Sequence, residues 1–163
     1  KTLENRLMKN IILEKEVVDA QELWAKYIID IGKLYIEKKD YKSKTKSLLK
    51  NLYAYNISDV LFKPTLASKN QFRFSMDDAL SYFIGGKFSE DKGFALKPWV
   101  NIRFGERKII LLNETAISMG NYFFQELKSQ TEVKVEYTFG YIKNNNGILL
   151  INIHHSSIPY KES

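Results

Sequence analysis

The sequence contains no cysteine and only two histidines among its 163 residues. Without cysteine the chain has no disulfide, no thiolate nucleophile and no thiolate metal ligand. The histidines, His154 and His155, are adjacent, so on a regular strand they point to opposite faces and cannot bind one metal ion together. Asp91, Glu132 and Glu136 could supply an oxygen site for a harder cation, but nothing in their spacing demands one. We therefore expect no metal and no other cofactor.

Long apolar runs are also missing, and none approaches the ~20 residues that a membrane-spanning helix needs. The first residue is lysine and no apolar signal core follows it, so we expect any targeting segment to lie outside this sequence. The net charge is +6, but the densest group of lysines, between residues 38 and 50, falls on an expected surface turn and helix. A solvated surface explains these lysines better than a nucleic-acid site does. The sequence thus predicts neither a nucleic-acid nor a membrane partner.

Helices are predicted in the first half of the chain. Apolar residues at intervals of three and four predict one long amphipathic helix from about residue 12 to residue 37. Asp40 is expected to cap a second helix that ends near Asn56. Ser75 opens a capping box for a short third helix, Met76 to Phe83. No linker or repeat divides the chain, so we expect a single domain over residues 1–163, with the alternative that it is one copy from a tandem array.

Strands are predicted in the second half, which is rich in β-branched and aromatic residues. Helices followed by an antiparallel meander predict an α+β fold, a cone-shaped barrel in which the long helix packs on the concave face of a strongly curved sheet. A pocket forms where such a cone is too wide to fill with side chains. The predicted strands are Val60–Pro64, Phe94–Phe104, Arg107–Leu112, Ala116–Leu127, Val133–Lys143 and Ile148–Ser157, with hairpin turns at Phe104-Gly105 and Asn146-Gly147.

The last predicted strand places polar residues in apolar surroundings. Strict alternation puts one face on odd-numbered positions and the other on even-numbered positions. The odd face is the more hydrophobic, so we predict that it faces the core and that His155 and Ser157 point inward. Each then needs a hydrogen-bond partner. From this strand alone, a core histidine satisfied by a neighbouring hydroxyl explains the pattern better than a catalytic one.

Earlier segments combine polar and apolar residues in the same way, in the order KPT, FR, LSYFxGG and DKGFAxKPW, before the closing HHSS. This series resembles the iota-class carbonic anhydrases over roughly residues 15 to 160. These are relatives of the calcium/calmodulin-dependent protein kinase II association domain, in the SnoaL-like and nuclear transport factor 2-like superfold. The superfold alone says little about function, because it hosts isomerases, dehydratases and assembly modules. The joint occurrence of these motifs is much more specific.

The resemblance implies a homodimer that interconverts carbon dioxide and bicarbonate in a pocket lined by hydroxyls, without a metal. The alignment of HHSS is ambiguous by one residue, so His154 and Ser156 remain alternatives to their neighbours. Among relatives, the compartments implied are an algal plastid, or the periplasm or cytoplasm of a bacterium, with a role in carbon concentration. The catalytic residues that the resemblance implies are Thr65, Tyr82, His155 and Ser157.

In this mechanism a water attacks carbon dioxide while its proton moves toward His155, whose ordinary pKa near 6.5 suits the operating pH. The hydroxyls position the water and donate hydrogen bonds to the oxygens on which charge develops. Arg73, between two phenylalanines, needs an anion and is expected to bind bicarbonate. Asp77 or Asp78 is the alternative partner for its guanidinium.

Two other functions remain open. In a non-catalytic association module, the pocket is a relic or binds a ligand, and the exposed sheet face drives assembly. An isomerase or dehydratase would need a buried carboxylate or histidine to take a proton from carbon. Glu136 is the one acidic residue in the apolar centre of a predicted strand, which weakens this second alternative.

Overall fold

The fold is described for residues 10–162 of a computed structural model. A single 3-10 turn at Phe94–Leu96 precedes β2, so this strand begins later than the predicted Phe94. Among the described residues, no helix has the length and apolar character to cross a bilayer. The elements in chain order are α1 (Glu14–Ile36), α2 (Tyr41–Leu52), β1 (Leu61–Lys63), α3 (Met76–Ile84), β2 (Trp99–Leu112), β3 (Thr115–Glu126), β4 (Glu132–Lys143) and β5 (Leu149–Ser157).

The helix ends follow the predicted capping chemistry. The side chain of Asp40 accepts from Ser43 N at 3.0 Å, and that of Ser75 accepts from Asp78 N at 3.1 Å. Each cap satisfies a main-chain N–H that has no partner within the helix. The second helix ends at Leu52 rather than near Asn56, because the chain becomes extended there and pairs with β5.

The strands form one sheet in the order β1-β5-β4-β3-β2. The four long strands pair antiparallel, and the short β1 pairs parallel to β5. The two ends of this order do not pair, so the sheet is open and curls around α1 instead of closing into a barrel. The α+β prediction is confirmed.

Helix α1 lies across the inner face of this curl. Trp24, near its middle, is 1% exposed, and Ile28 on the next turn is fully buried. Replacing such a tryptophan by alanine typically costs ~3–5 kcal/mol. The ring packs edge-on or tilted against four others, those of Tyr122, Phe124, Phe139 and His154.

A β-bulge in β2 overturns a predicted turn. Strand β2 runs unbroken through Phe104-Gly105, and the pairing shifts by one residue between Phe104 and Arg107. A Cβ at Gly120, on the facing strand, would lie 2.0 Å from the carbonyl oxygen of Glu106. The glycine is therefore required where the bulge approaches. The other predicted turn, Asn146-Gly147, is confirmed, and Gly147 has a φ of 79° there.

Another bulge lies in β5. Gly140 pairs with Ile153 and Tyr141 with Ile151, so Asn152 is the extra residue. A Cβ at Gly140 would lie 2.8 Å from Asn152 Oδ1, so a glycine again stands opposite the bulge. One extra residue exchanges the two faces for every position that follows it.

Candidate active site

The bulge at Asn152 decides which polar residues of β5 face the interior. His154 and Ser156 are each 2% exposed, whereas His155 is exposed and Ser157 is half-buried on the outer face. The prediction that His155 and Ser157 point inward is therefore wrong, because it assumed strict alternation along the strand. The alternatives left open by the HHSS alignment, His154 and Ser156, occupy the inner face.

Ser156 lies where several hydroxyl groups meet. Thr65 Oγ1 donates to Ser156 Oγ at 2.7 Å, and Tyr122 Oη lies 2.5 Å from the same oxygen. Ser156 Oγ donates to the main-chain carbonyl oxygen of Glu136 at 3.2 Å. Three parts of the chain thus each bring one hydroxyl to this point: Ser156 comes from β5, Thr65 from the segment after β1, and Tyr122 from β3.

His154 is enclosed by aromatic rings. Its imidazole stacks on Phe62 at 4.8 Å and on Phe139 at 4.2 Å between ring centroids. Nδ1 lies 2.8 Å from Tyr53 Oη, and Nε2 lies 3.2 Å from Tyr122 Oη. Burial, with a smaller contribution from the adjacent His155, lowers the pKa of His154 to about 3. The ring is therefore neutral at neutral pH.

Tyr82 comes from α3, and its hydroxyl reaches the segment after β1. Leu66 N donates to Tyr82 Oη at 3.4 Å, and the hydroxyl also interacts with that of Thr65. Burial raises the pKa of Tyr82 well above its usual range. The phenol therefore stays protonated and keeps a proton to donate.

A wide cavity of about 470 Å³ opens beside Thr65 and Tyr82. Its walls are mostly apolar, with aromatic rings from Phe94, Trp99 and Phe124. A second void of about 10 Å³ lies behind it, among Thr65, Tyr82, Tyr122, His154 and Ser156. That volume holds about one water molecule. Thr65 and Tyr82 line both spaces, so their hydroxyls lie where the wide cavity meets the small void.

Arg73 is fully buried and already has its anion. Both of its terminal nitrogens bind the carboxylate of Asp91, each at 2.7 Å, while Nε donates to the carbonyl of Asn70. The predicted side-chain partners, Asp77 and Asp78, are wrong, since only the main-chain carbonyl of Asp78 contacts the guanidinium. Arg73 does not line the wide cavity. Binding bicarbonate there would require this ion pair to break. We therefore assign Arg73 a structural role, in which it fixes Asp91 in the wall of the wide cavity.

The neighbouring carboxylate, Glu90, ties down the loop after Thr65. It accepts from the main-chain nitrogens of Ser68, Lys69 and Asn70 at 2.6–3.0 Å. These hydrogen bonds lower the pKa of Glu90 to about 2. Glu90 and Asp91 both line the wide cavity, so the two acidic residues fix one wall of it.

Other acidic residues do not gather into a cation site. Within residues 10–162, no cluster of three or more histidine, aspartate or glutamate side chains has the geometry to hold a metal ion. Asp91, Glu132 and Glu136 lie apart, and each binds a different side chain: Arg73, Arg103 and Ser157 respectively.

The sequence did not single out Trp24, Tyr53 or Tyr122 as part of the site. Each belongs to an apolar stripe and is at most 1% exposed, so periodicity assigns it to the core. The signal that could have identified them is chemical, because a buried tyrosine hydroxyl or indole N–H needs a hydrogen-bond partner.

The sequence pattern of the family described as metal-independent carbonic anhydrase matches residues 15–158. The chain belongs to this family. A metal-independent carbonic anhydrase of Nostoc sp. (strain PCC 7120 / SAG 25.82 / UTEX 2576) is 35% identical over 166 residues, which cover 99% of this chain and 80% of the relative. The predicted resemblance to iota-class carbonic anhydrases is thereby confirmed.

Solved structures agree with this membership. An iota-carbonic anhydrase from a cyanobacterium, complexed with bicarbonate, superposes with a TM-score of 0.89 at 35% identity, covering 94% of this chain and 96% of that one. An NTF-2 like protein of unknown function from Shewanella oneidensis MR-1 superposes with a TM-score of 0.52 at 15% identity, covering 88% and 97%. The second likeness concerns the fold alone.

Proposed function

We propose that the active site of this carbonic anhydrase lies where the wide cavity meets the hydroxyls of Thr65 and Tyr82. The chain catalyses the reversible hydration of carbon dioxide to bicarbonate without a metal cofactor, as its family does. One observation carries the placement: the two hydroxyls line both an apolar cavity and a void of about one water, with Ser156 behind them. The cyanobacterial relative that shares this fold was solved with bicarbonate.

The hydroxyl groups of Thr65 and Tyr82 have different roles in the reaction. Thr65 gives its own proton to Ser156, so its lone pairs are free to accept from a water in the small void. Tyr82 accepts from Leu66 N and has the hydroxyl of Thr65 beside it, so its proton turns from that oxygen to an oxygen of carbon dioxide when the substrate binds. The aromatic walls suit the apolar substrate, and the buried hydroxyls behind them form stronger hydrogen bonds than they would in water.

The reaction then needs no charged side chain. As the water oxygen bonds to carbon, one C=O electron pair moves to oxygen, Tyr82 gives its proton to that oxygen, and the hydroxyl of Tyr82 takes a proton from the water. The product is carbonic acid, which ionises to bicarbonate in solvent. His155, predicted as the base, lies on the opposite face of β5 and takes no part.

The substitution Tyr82→Phe tests this placement. We expect the rate of carbon dioxide hydration, measured by stopped flow, to fall about 100-fold or more, because the proton relay is lost. Tyr160→Phe is the matched control, since Tyr160 is 87% exposed, and it should stay within twofold of the parent. Parental activity in Tyr82→Phe, with the fold intact by circular dichroism, would overturn the proposal.

Carbon-acid chemistry is disfavoured by the state of the cavity carboxylates. Asp91 is bound by Arg73 through both oxygens, and Glu90 accepts three main-chain N–H groups. A carboxylate with its lone pairs engaged and its pKa lowered to about 2, as in Glu90, is a poor base. Among the described residues that line the cavity, neither carboxylate is therefore available as the proton acceptor that an isomerase or dehydratase would need.

We also propose that the chain forms a homodimer. Ile110, Leu112 and Met119 are each more than half exposed on the sheet, which supports an interface. Analytical ultracentrifugation tests it, and a monomer at all concentrations would contradict it. An algal plastid or a bacterial periplasm or cytoplasm, with a role in carbon concentration, stays a prediction that fractionation of the source cells can check.

A further inference from the structure

A row of buried side chains runs from the middle of α1 to the main chain of β4 and passes through His154. Trp24 Nε1 lies 3.0 Å from Tyr53 Oη, which lies 2.8 Å from Nδ1 of the imidazole. Beyond the ring, Nε2 lies 3.2 Å from Tyr122 Oη, which lies 2.5 Å from Ser156 Oγ. Each end of this row carries a group whose role in a hydrogen bond is fixed.

At the β4 end, the carbonyl of Glu136 can only accept, so Ser156 gives it the single hydroxyl proton. Ser156 Oγ therefore accepts from its two hydroxyl partners, Thr65 and Tyr122. Tyr122 has then used its only proton on Ser156 and can only accept from His154. Nε2 must carry a proton.

At the α1 end, the indole N–H of Trp24 can only donate, so Tyr53 Oη accepts from it. The hydroxyl proton of Tyr53 then has one acceptor among its hydrogen-bond partners, Nδ1 of His154. Nδ1 is therefore unprotonated. The two ends are independent of each other, and both require the same neutral form of the imidazole.

We propose that His154 acts as a positioning residue, a neutral imidazole with its proton on Nε2, which fixes the direction of the hydrogen bonds that link Tyr122, Ser156 and Thr65. It is not the base. This inference rests on the proposed function, because its consequence falls on the catalytic hydroxyls. With Nε2 donating to it, Tyr122 must donate to Ser156, so the proton of Ser156 stays directed at the carbonyl of Glu136 and Ser156 accepts from Thr65. Thr65 thus keeps its lone pairs for the attacking water.

The groups around His154 favour this neutral form. The titratable groups in contact with the ring are Tyr53 and Tyr122, both with pKa values raised by burial, and His155 is its neighbour along β5. A second proton on Nδ1 would also leave the hydroxyl of Tyr53 without an acceptor in a fully buried place.

Spectroscopy of the folded protein tests the tautomer without altering the ring. In a His155→Gln variant, His154 is the single histidine, and its ¹⁵N spectrum reports both ring nitrogens. We expect one protonated nitrogen, Nε2, and no titration between pH 5 and 9. A proton on Nδ1, or a titration in that range, would overturn the inference.

A pair of substitutions tests the positioning role. In His154→Gln, the side-chain oxygen can accept from Tyr53 and the amide nitrogen can donate to Tyr122, so we expect kcat/KM within about threefold of the parent. His154→Leu keeps the volume and loses both bonds, so we expect a loss of ~100-fold. The pH profile of His154→Gln should have the parental shape.

If His154 were the catalytic base, different results would be expected. His154→Gln would then lose as much activity as His154→Leu, and an inflection in the parental pH profile would vanish with it. Comparison with Tyr82→Phe separates the two proposals. An inactive Tyr82→Phe with an inactive His154→Gln refutes only the positioning role, whereas an active Tyr82→Phe refutes the proposed site.

Discussion

Strand β5 carries two histidine-and-serine pairs, one on each face of the sheet. On the inner face, His154 and Ser156 are 2% exposed and belong to a continuous hydrogen-bonded row. On the outer face, His155 is exposed and Ser157 donates to the carboxylate of Glu136 at 2.9 Å. The residue types are identical and adjacent in sequence. Their chemistry differs because burial and the direction of the surrounding hydrogen bonds differ.

Ion pairs repeat this contrast between interior and surface. Arg73 is 0% exposed and Asp91 2%, whereas Arg103 and Glu132 are 48% and 36% exposed. Asp91→Asn should lower the free energy of unfolding by ~3–5 kcal/mol, because a buried guanidinium loses its counter-charge. Glu132→Gln should lower it far less, because water screens the exposed pair. Urea unfolding measures both, and equal losses would remove the contrast.

The two serines give the matched comparison of activity. Ser156→Ala should reduce the hydration rate by ~100-fold or more, since Thr65 loses the acceptor that sets its direction. Ser157→Ala should remain within twofold, because its hydroxyl lies on the other face. Stopped-flow assays on both variants, with circular dichroism as the folding control, decide the matter. A larger loss in Ser157→Ala would mean that the outer face holds the site.

Stability against pH sharpens the comparison of the histidines. The pKa of His154 is lowered from 6.5 to about 3, so the unfolded chain binds the proton more strongly than the folded chain does. The stability associated with the neutral ring is complete above pH 6.5 and falls as the pH drops toward 3, by up to about 1.4 kcal/mol per pH unit.

Unfolding curves between pH 4 and 7 measure this slope. His154→Gln should flatten it and His155→Gln should retain it. A slope that disappears in His155→Gln but persists in His154→Gln would show that His155, and not His154, is the buried histidine.

Local sequence signals predicted those parts of the fold that depend on neighbouring residues. The spacing of α1, the caps at Asp40 and Ser75 and the turn at Asn146-Gly147 are all decided within a few positions. The hydroxyls of Thr65 and Tyr82 were found through motifs, and their role remains a prediction.

The errors came from features that involve distant residues. The bulge at Asn152 depends on Gly140 in the next strand, and alternation along one strand cannot reveal an extra residue. Arg73 pairs with Asp91 because a helix and a loop bring them together. The prediction chose Asp77 or Asp78 instead, because they are nearer in sequence. The tyrosines of the hydrogen-bonded row look like core residues until their hydroxyl partners are known.

A crystal structure of the protein with bicarbonate tests the central claim most directly. We expect the anion at the inner end of the wide cavity, with oxygens within about 3.2 Å of Thr65 Oγ1 and Tyr82 Oη. Bicarbonate bound instead on the outer face, against His155 and Ser157, would contradict it.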